Sequence, residues 1–124
     1  MLKPHINVRL IVSLLAAASN AAVGGDAEHG QSLYQNKCTA CHSVEYNGVG
    51  PAHKGVYGRK AGSAPDFMYS EALKRSAVIW DENTLNKWLT DPEKFIPGQK
   101  MGFLVPNAKE RADLIAYLKQ TESK

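Results

Sequence analysis

Both cysteines of this chain lie in the stretch KCTACHSVEYNGVGP, at Cys38 and Cys41, and His42 follows the second directly. Four chemistries use such a pair. A disulfide across two intervening residues closes a very small loop, so it constrains little of the unfolded chain. A thioredoxin-like redox site wants a strand before the motif and a βαβ pattern around it, and neither is visible. A structural zinc site needs a regularly spaced fourth ligand, whereas past residue 21 only His29 and His53 remain besides His42. The fourth is attachment of one c-type haem, for which C-x-x-C-H is the signature. Each cysteine sulfur forms a thioether to a haem vinyl group, and His42 is then delivered to the iron as an axial ligand.

The opposite axial position decides what such an iron does. If it is open, small molecules can bind and be activated; if a protein group closes it, the iron mainly exchanges electrons. Met1 and His5 fall in the N-terminal segment, and His29 lies just before the motif. Met68, in APDFMYS, reads as core packing. His53 follows Gly50-Pro51 closely and is expected on the same side as His42. Met101 stands apart, in a Pro-Gly loop far along the chain, and is the expected second ligand. A soft thioether favours ferrous iron, so this ligation implies a relatively high potential.

The elements that must position these groups read as helices. Asp26 is a suitable N-cap for a first helix carrying Leu33 and Tyr34 towards Cys38. Ser43 to Pro65 is rich in Gly and Pro and reads as turns without strands. Ser70 can cap a short helix through Ala77. Asp81 can cap another, with Leu85, Trp88 and Leu89 as its apolar stripe, which Asp91-Pro92 stops. From Pro92 to Asn107 a loop is expected. Asn107 and Glu110 resemble a capping box opening a last helix that buries Leu114, Ile115 and Leu118. The expected fold is a small all-α domain of short helices and long loops wrapped around one haem.

At 124 residues the chain has room for one domain. Lys3 and Arg9 precede an apolar run from Leu10 to Ala18, interrupted by Ser13, the layout of a secretory signal peptide. Cleavage after Ala21 suits the small residues Ser19 and Ala21, giving a leader over 1–21 and a domain over 22–124. The alternative is a retained leader and a membrane-tethered protein, although the run is shorter than the ~20 residues that span a bilayer. The chain carries a net charge of +3, and residues 22–124 contain 13 basic and 12 acidic side chains. That near-balance argues against nucleic acid as a partner.

Taken in order, CTACH, VGP, GVYGRKAGSAPDFMYS, Trp80, DPEKFIPGQKM and ERADLIAYLK resemble the class I cytochromes c, specifically the bacterial cytochrome c2 and mitochondrial cytochrome c group. The resemblance runs from Gly30 to Leu118. It implies thioethers at Cys38 and Cys41 and axial ligation by His42 and Met101. It further implies a hydrogen bond from His42 to the Pro51 carbonyl, and Arg59, Tyr69 and Trp80 around a haem propionate. Gly30 with Tyr34, and Leu114 with Tyr117, match a crossing of the terminal helices. The loop after the haem motif has the compact bacterial length.

Four positions depart from the group. His53 replaces a common apolar residue, which leaves open a surface histidine or a pH-sensitive neighbour of the haem. Leu73 replaces a polar residue, Trp88 a frequent Tyr and Gln99 a frequent Thr, so the network on the methionine side is expected to differ. The function implied is a soluble, monomeric periplasmic electron carrier, from a cytochrome bc1-type complex to a terminal oxidase or photosynthetic reaction centre, with no enzymatic activity. Partners are expected to dock near Lys37, Lys94, Lys100 and Phe103, with weak salt dependence because Glu93 and Gln31-Ser32 lack the lysines common there. The rival reading is a peroxidase-like haem enzyme or ligand sensor with an open sixth site, although no distal His/Arg pair is evident in the sequence.

Overall fold

The computed structural model describes residues 1–3 and 24–122; the leader expected at 1–21 falls almost wholly outside them. In chain order the helices are α1 (Ala27–Lys37), α2 (Glu71–Arg75), α3 (Glu82–Thr90), α4 (Pro92–Phe95) and α5 (Ala108–Gln120). Among the described residues every regular element is a helix, joined by long irregular segments, and β pairing is limited to an isolated bridge between Lys60 and Ile79. None of the described helices is long and apolar enough to cross a membrane.

The terminal helices α1 and α5 cross in close contact and form the frame of the molecule. Gly30 permits that approach, since a Cβ there would overlap the Asp113 carbonyl of α5. Leu33 and Tyr34 from α1 pack with Leu114, Ile115 and Leu118 from α5, as their helical spacing predicts. Asp26 caps α1, its carboxylate accepting from the backbone N–H groups of Glu28 and His29 at 3.0 and 3.1 Å.

Nothing in the sequence pattern singles out Asp113, yet it is fully buried at the crossing. It accepts from the Asp26 backbone N–H at 2.7 Å, from His29 Nδ1 at 2.7 Å and from Lys109 Nζ at 2.9 Å. Burial by itself would raise its pKa; the bonds from His29, Asp26 and Lys109 outweigh it and hold the carboxyl at about 2, below the ordinary 3.8. A carboxylate with a depressed pKa stabilises the fold fully above its unfolded value and ceases to do so as pH falls through its folded value. Thermal denaturation should therefore show stability falling between about pH 4 and pH 2, with a flatter profile in Asp113→Asn. Asp113→Ala, which removes the buried acceptor shared by three largely exposed donors, is expected to cost about 1–2 kcal/mol at neutral pH.

Three local expectations change. Helix α2 ends at Arg75 rather than Ala77, because Ser76 turns extended and the Val78 carbonyl accepts from the Ala61 backbone N–H at 2.8 Å. Asp91-Pro92 ends α3 but also starts α4, within the segment expected to be loop: the Asp91 carboxylate accepts from Lys94 N and Pro92 opens the turn. At α5, Asn107 caps Glu110 N at 3.1 Å, but the Glu110 carboxylate turns to Lys37 Nζ at 3.5 Å, so the box is half formed. A tertiary ion pair replaces the local bond.

Asp66 has a φ of 59°, in the left-handed region that disfavours a side chain. It is exposed in the turn leading to Phe67. Asp66→Gly is expected to raise stability by about 0.5 kcal/mol in denaturant titration, the relief of strain exceeding the added unfolded-state freedom.

Candidate haem site

Helix α1 ends by delivering the motif. The Cys38 backbone N–H donates to the Tyr34 carbonyl at 2.9 Å, and the N–H of His42 donates to the Cys38 carbonyl at 2.9 Å, so one tight turn sets both sulfurs and the imidazole together. The Gly50 backbone N–H donates to the Cys41 carbonyl at 2.8 Å and folds the following loop back over His42. Gly50 lies so close to the ring that a Cβ would overlap it. His42 Nδ1 then donates to the Pro51 carbonyl at 2.8 Å, as expected, and Nε2 is the nitrogen left for a metal. Burial lowers the His42 pKa, partly offset by that bond, which favours the neutral ligating form.

The groups line one cavity of about 840 Å³ between the crossed terminal helices, α3 and the loops. Cys38, Cys41, His42, Pro51, Arg59, Tyr69, Trp80 and Met101 all border it, drawn from positions as far apart as 38 and 101. Leu73, Leu85, Leu89, Leu114 and Leu118 supply apolar wall, and the indoles of Trp80 and Trp88 lie 5.4 Å apart within it. Such a space suits a large planar apolar group.

Arg59 provides a direct test of fit. Its two terminal nitrogens donate to the carbonyls of Lys54 and Ala52 at 3.1 and 3.0 Å, while Nε is buried with no partner in the protein. A buried N–H without an acceptor is costly, and a haem propionate is an acceptor of the right charge. Burial lowers the Arg59 pKa, so a carboxylate beside it would restore a favourable setting for the cation. The residues present fit haem c.

Cys38 argues against a reactive dithiol. Burial pushes its thiol up to about 11, opposed by Lys37 and assisted by Cys41, where a redox cysteine requires a lowered pKa. Among the described residues no cluster of three or more His, Cys, Asp or Glu side chains could hold a metal ion, so the zinc reading finds no set of ligands there.

Met68 corrects the expectation of core packing: it is 82% exposed at the cavity rim. The segment alternates, sending Phe67 and Tyr69 inward with their rings 4.8 Å apart and Met68 outward. His53 is on the same side as His42, as expected, but is not a surface histidine. Its ring stacks on His42 with centroids 4.0 Å apart, and burial holds its pKa well below the ordinary 6.5, with the charges of His42 and Arg59 acting the same way.

Sequence reasoning noted Glu93 only as a missing lysine. Its carboxylate accepts from Gly98 N at 2.9 Å and from Gln99 Nε2 at 3.0 Å, fixing the turn that leads into Met101. An acidic residue just ahead of a Pro-Gly turn was the available signal. Of the docking residues, Lys37, Lys100 and Phe103 border the cavity, whereas Lys94 does not.

The family model described as Cytochrome c matches residues 27–122. The chain is 45% identical over 98 residues to the cytochrome c of Euglena viridis, covering 77% of this chain and 96% of that protein. It is 40% identical over 117 residues to the cytochrome c2 of Rhodomicrobium vannielii, covering 91% and 93%. Among solved structures, cytochrome cH from Methylobacterium extorquens superposes with a TM-score of 0.74 at 48% identity, covering 77% of this chain and 99% of that one. With the Cys38–Cys41–His42 attachment motif and the cavity built around it, the chain belongs to the cytochrome c family, haem-based electron carriers with one covalently attached haem c.

Proposed function

We propose that this chain, with residues 22–124 as its mature domain, is a soluble periplasmic one-electron carrier whose haem is held by thioethers at Cys38 and Cys41 and by axial His42 and Met101. The observation that carries this reading is the pairing within one cavity of an imidazole anchored at Nδ1 by Pro51 with a thioether from a turn fixed by Glu93. His42 and Met101 would hold the iron of a haem c, which would supply one-electron exchange at relatively high potential. The chain's own task is to keep both ligands in place and exclude water. Arg59 Nε, Tyr69 and Trp80 would receive a propionate, and the apolar walls limit rearrangement when the charge changes.

Optical spectra and a redox titration of the haem-loaded protein test this. A weak far-red sulfur-to-iron band, no ready carbon monoxide binding to the ferrous form and a positive midpoint are expected. Absence of the band, with rapid carbon monoxide binding, would identify an open iron and direct attention to peroxidase or ligand-sensing chemistry.

Partners would meet the chain at the cavity mouth, where Lys37, Lys100 and the half-exposed Phe103 border the opening. A bc1-type complex as donor and a terminal oxidase or photosynthetic reaction centre as acceptor, each meeting a monomer, fit the resemblance to cytochrome c2. Lys37 is paired with Glu110, and the balance of charge over residues 22–124 is close to neutral. Stopped-flow rates with a redox partner should accordingly fall by less than about threefold between low and physiological salt.

A further inference from the structure

His53 is a partly buried ionisable side chain stacked on His42 that haem attachment and axial ligation leave unused. We infer that His53, steadied by Tyr34, is a positioning residue that fixes the plane of the axial imidazole of His42 and thereby tunes the iron. The inference rests on His42 being the axial ligand, as proposed above.

Three contacts confine the His42 ring. At one end Nδ1 is tied to the Pro51 carbonyl at 2.8 Å. Along its Nδ1–Cε1–Nε2 edge the Gly50 backbone leaves no room for even a methyl group. Over its face lies the His53 ring, 4.0 Å away between centroids and tilted by only 22°. A single hydrogen bond leaves an imidazole free to pivot about it, whereas a parallel ring in contact blocks that motion.

A side chain can act as such a stop only if it is itself immobile, and His53 is held from every side. Its backbone N–H donates to the Ser43 carbonyl at 2.9 Å, and its carbonyl lies 3.2 Å from Thr121 Oγ1 at the C-terminal end of α5, a hydroxyl shared with the Leu118 carbonyl at 2.7 Å. Arg59 binds the carbonyls on either side of it, those of Ala52 and Lys54. The ring is hydrogen-bonded through Nδ1 to the Tyr34 hydroxyl at 2.9 Å, and Tyr34 is itself buried in α1 against Tyr117, 5.2 Å between rings. The chain of contacts Tyr34, His53, His42 therefore ties the orientation of the ligand to the crossing of the terminal helices. An apolar side chain such as leucine would fill the same space but present no flat face and no bond to Tyr34. Groups behind a metal-binding imidazole that set its orientation alter the metal's electronic properties as well as its affinity.

The test is the pattern of haem-methyl proton shifts in the oxidised protein, which responds to the plane of the axial imidazole and to the orientation of the thioether, read together with the sulfur-to-iron band, which reports the thioether side, and the midpoint potential. His53→Leu is expected to rearrange the methyl-shift pattern and raise the midpoint, since an aliphatic group stabilises the ferric charge less than a polar ring. His53→Phe, which keeps the flat face but loses the Tyr34 bond, should move the pattern no further than Tyr34→Phe does. Tyr34→Phe should move the pattern in the same sense as His53→Leu but less, and should add nothing in the double variant. A wild-type pattern and midpoint in His53→Leu, or a pattern in His53→Phe displaced as far as in His53→Leu, would overturn the inference. If His53→Leu does not fold, Tyr34→Phe decides alone, an unchanged pattern refuting the role of the pair. The sulfur-to-iron band of the wild-type protein tests axial ligation separately, so failure of the ligand assignment is distinguishable from failure of the His53 role.

Discussion

Met101→Ala is expected to abolish the far-red sulfur-to-iron band, open the ferrous iron to rapid carbon monoxide binding and lower the midpoint potential. Of the three methionines, Met68 is 82% exposed at the cavity rim and Met1 lies in the N-terminal segment, whereas Met101 borders the cavity from a turn held by Glu93. Alanine removes the thioether and leaves no neighbouring sulfur to replace it from that turn. Because a thioether favours ferrous iron, its loss should lower the midpoint by on the order of 0.2 V, a fraction of the roughly 0.8 V that axial ligands span. Glu93→Ala offers an internal comparison: it keeps the sulfur but frees the turn, so carbon monoxide binding should become measurable without loss of the band. Optical spectra and flash photolysis of the two variants read both effects. A persistent far-red band in Met101→Ala would assign the ligand elsewhere.

Replacing both cysteines of the attachment motif, Cys38→Ala with Cys41→Ala, and expressing the chain without haem should leave it largely unfolded. The cavity is about 840 Å³ and lies at the centre of the core, bordered by residues of α1, α3 and α5. At the cost per volume measured for cavities in protein interiors, a void of that size would amount to about 20 kcal/mol, an upper bound because the mouth admits water. Even half that value rivals the roughly 5–15 kcal/mol by which whole domains are stable. Far-ultraviolet circular dichroism should show most of the helix signal gone, with no cooperative thermal transition. Native-like helix content with a sharp transition would mean that the crossed helices alone hold the fold, with haem added to a finished scaffold.

Much of this is legible in the sequence because the decisive signals are local. Cys38, Cys41 and His42 lie within one turn, so their spacing alone carries the geometry of attachment. The N-caps at Asp26, Ser70, Asp81 and Asn107 are read from single residues ahead of helical patterns, and each proves to accept the expected backbone bond. The burial of Leu114, Ile115 and Leu118 follows from their periodicity.

What the tertiary structure decided are the bonds between groups far apart in the chain. Asp113 looks like an ordinary surface acid on α5 until α1 crosses it and brings the Asp26 N–H and His29 within reach. Glu110 abandons a local box for Lys37 because that crossing sets the lysine nearby. Met68 faces outward because the turn at Asp66 fixes the phase of the alternation that follows. His53 shows the limit most plainly: its sequence position allowed either a surface residue or a haem neighbour. Only the closure of its loop by Ser43, Arg59 and Thr121 sets its ring on His42, because a long-range hydrogen bond depends on where two segments meet and leaves no periodic trace in either.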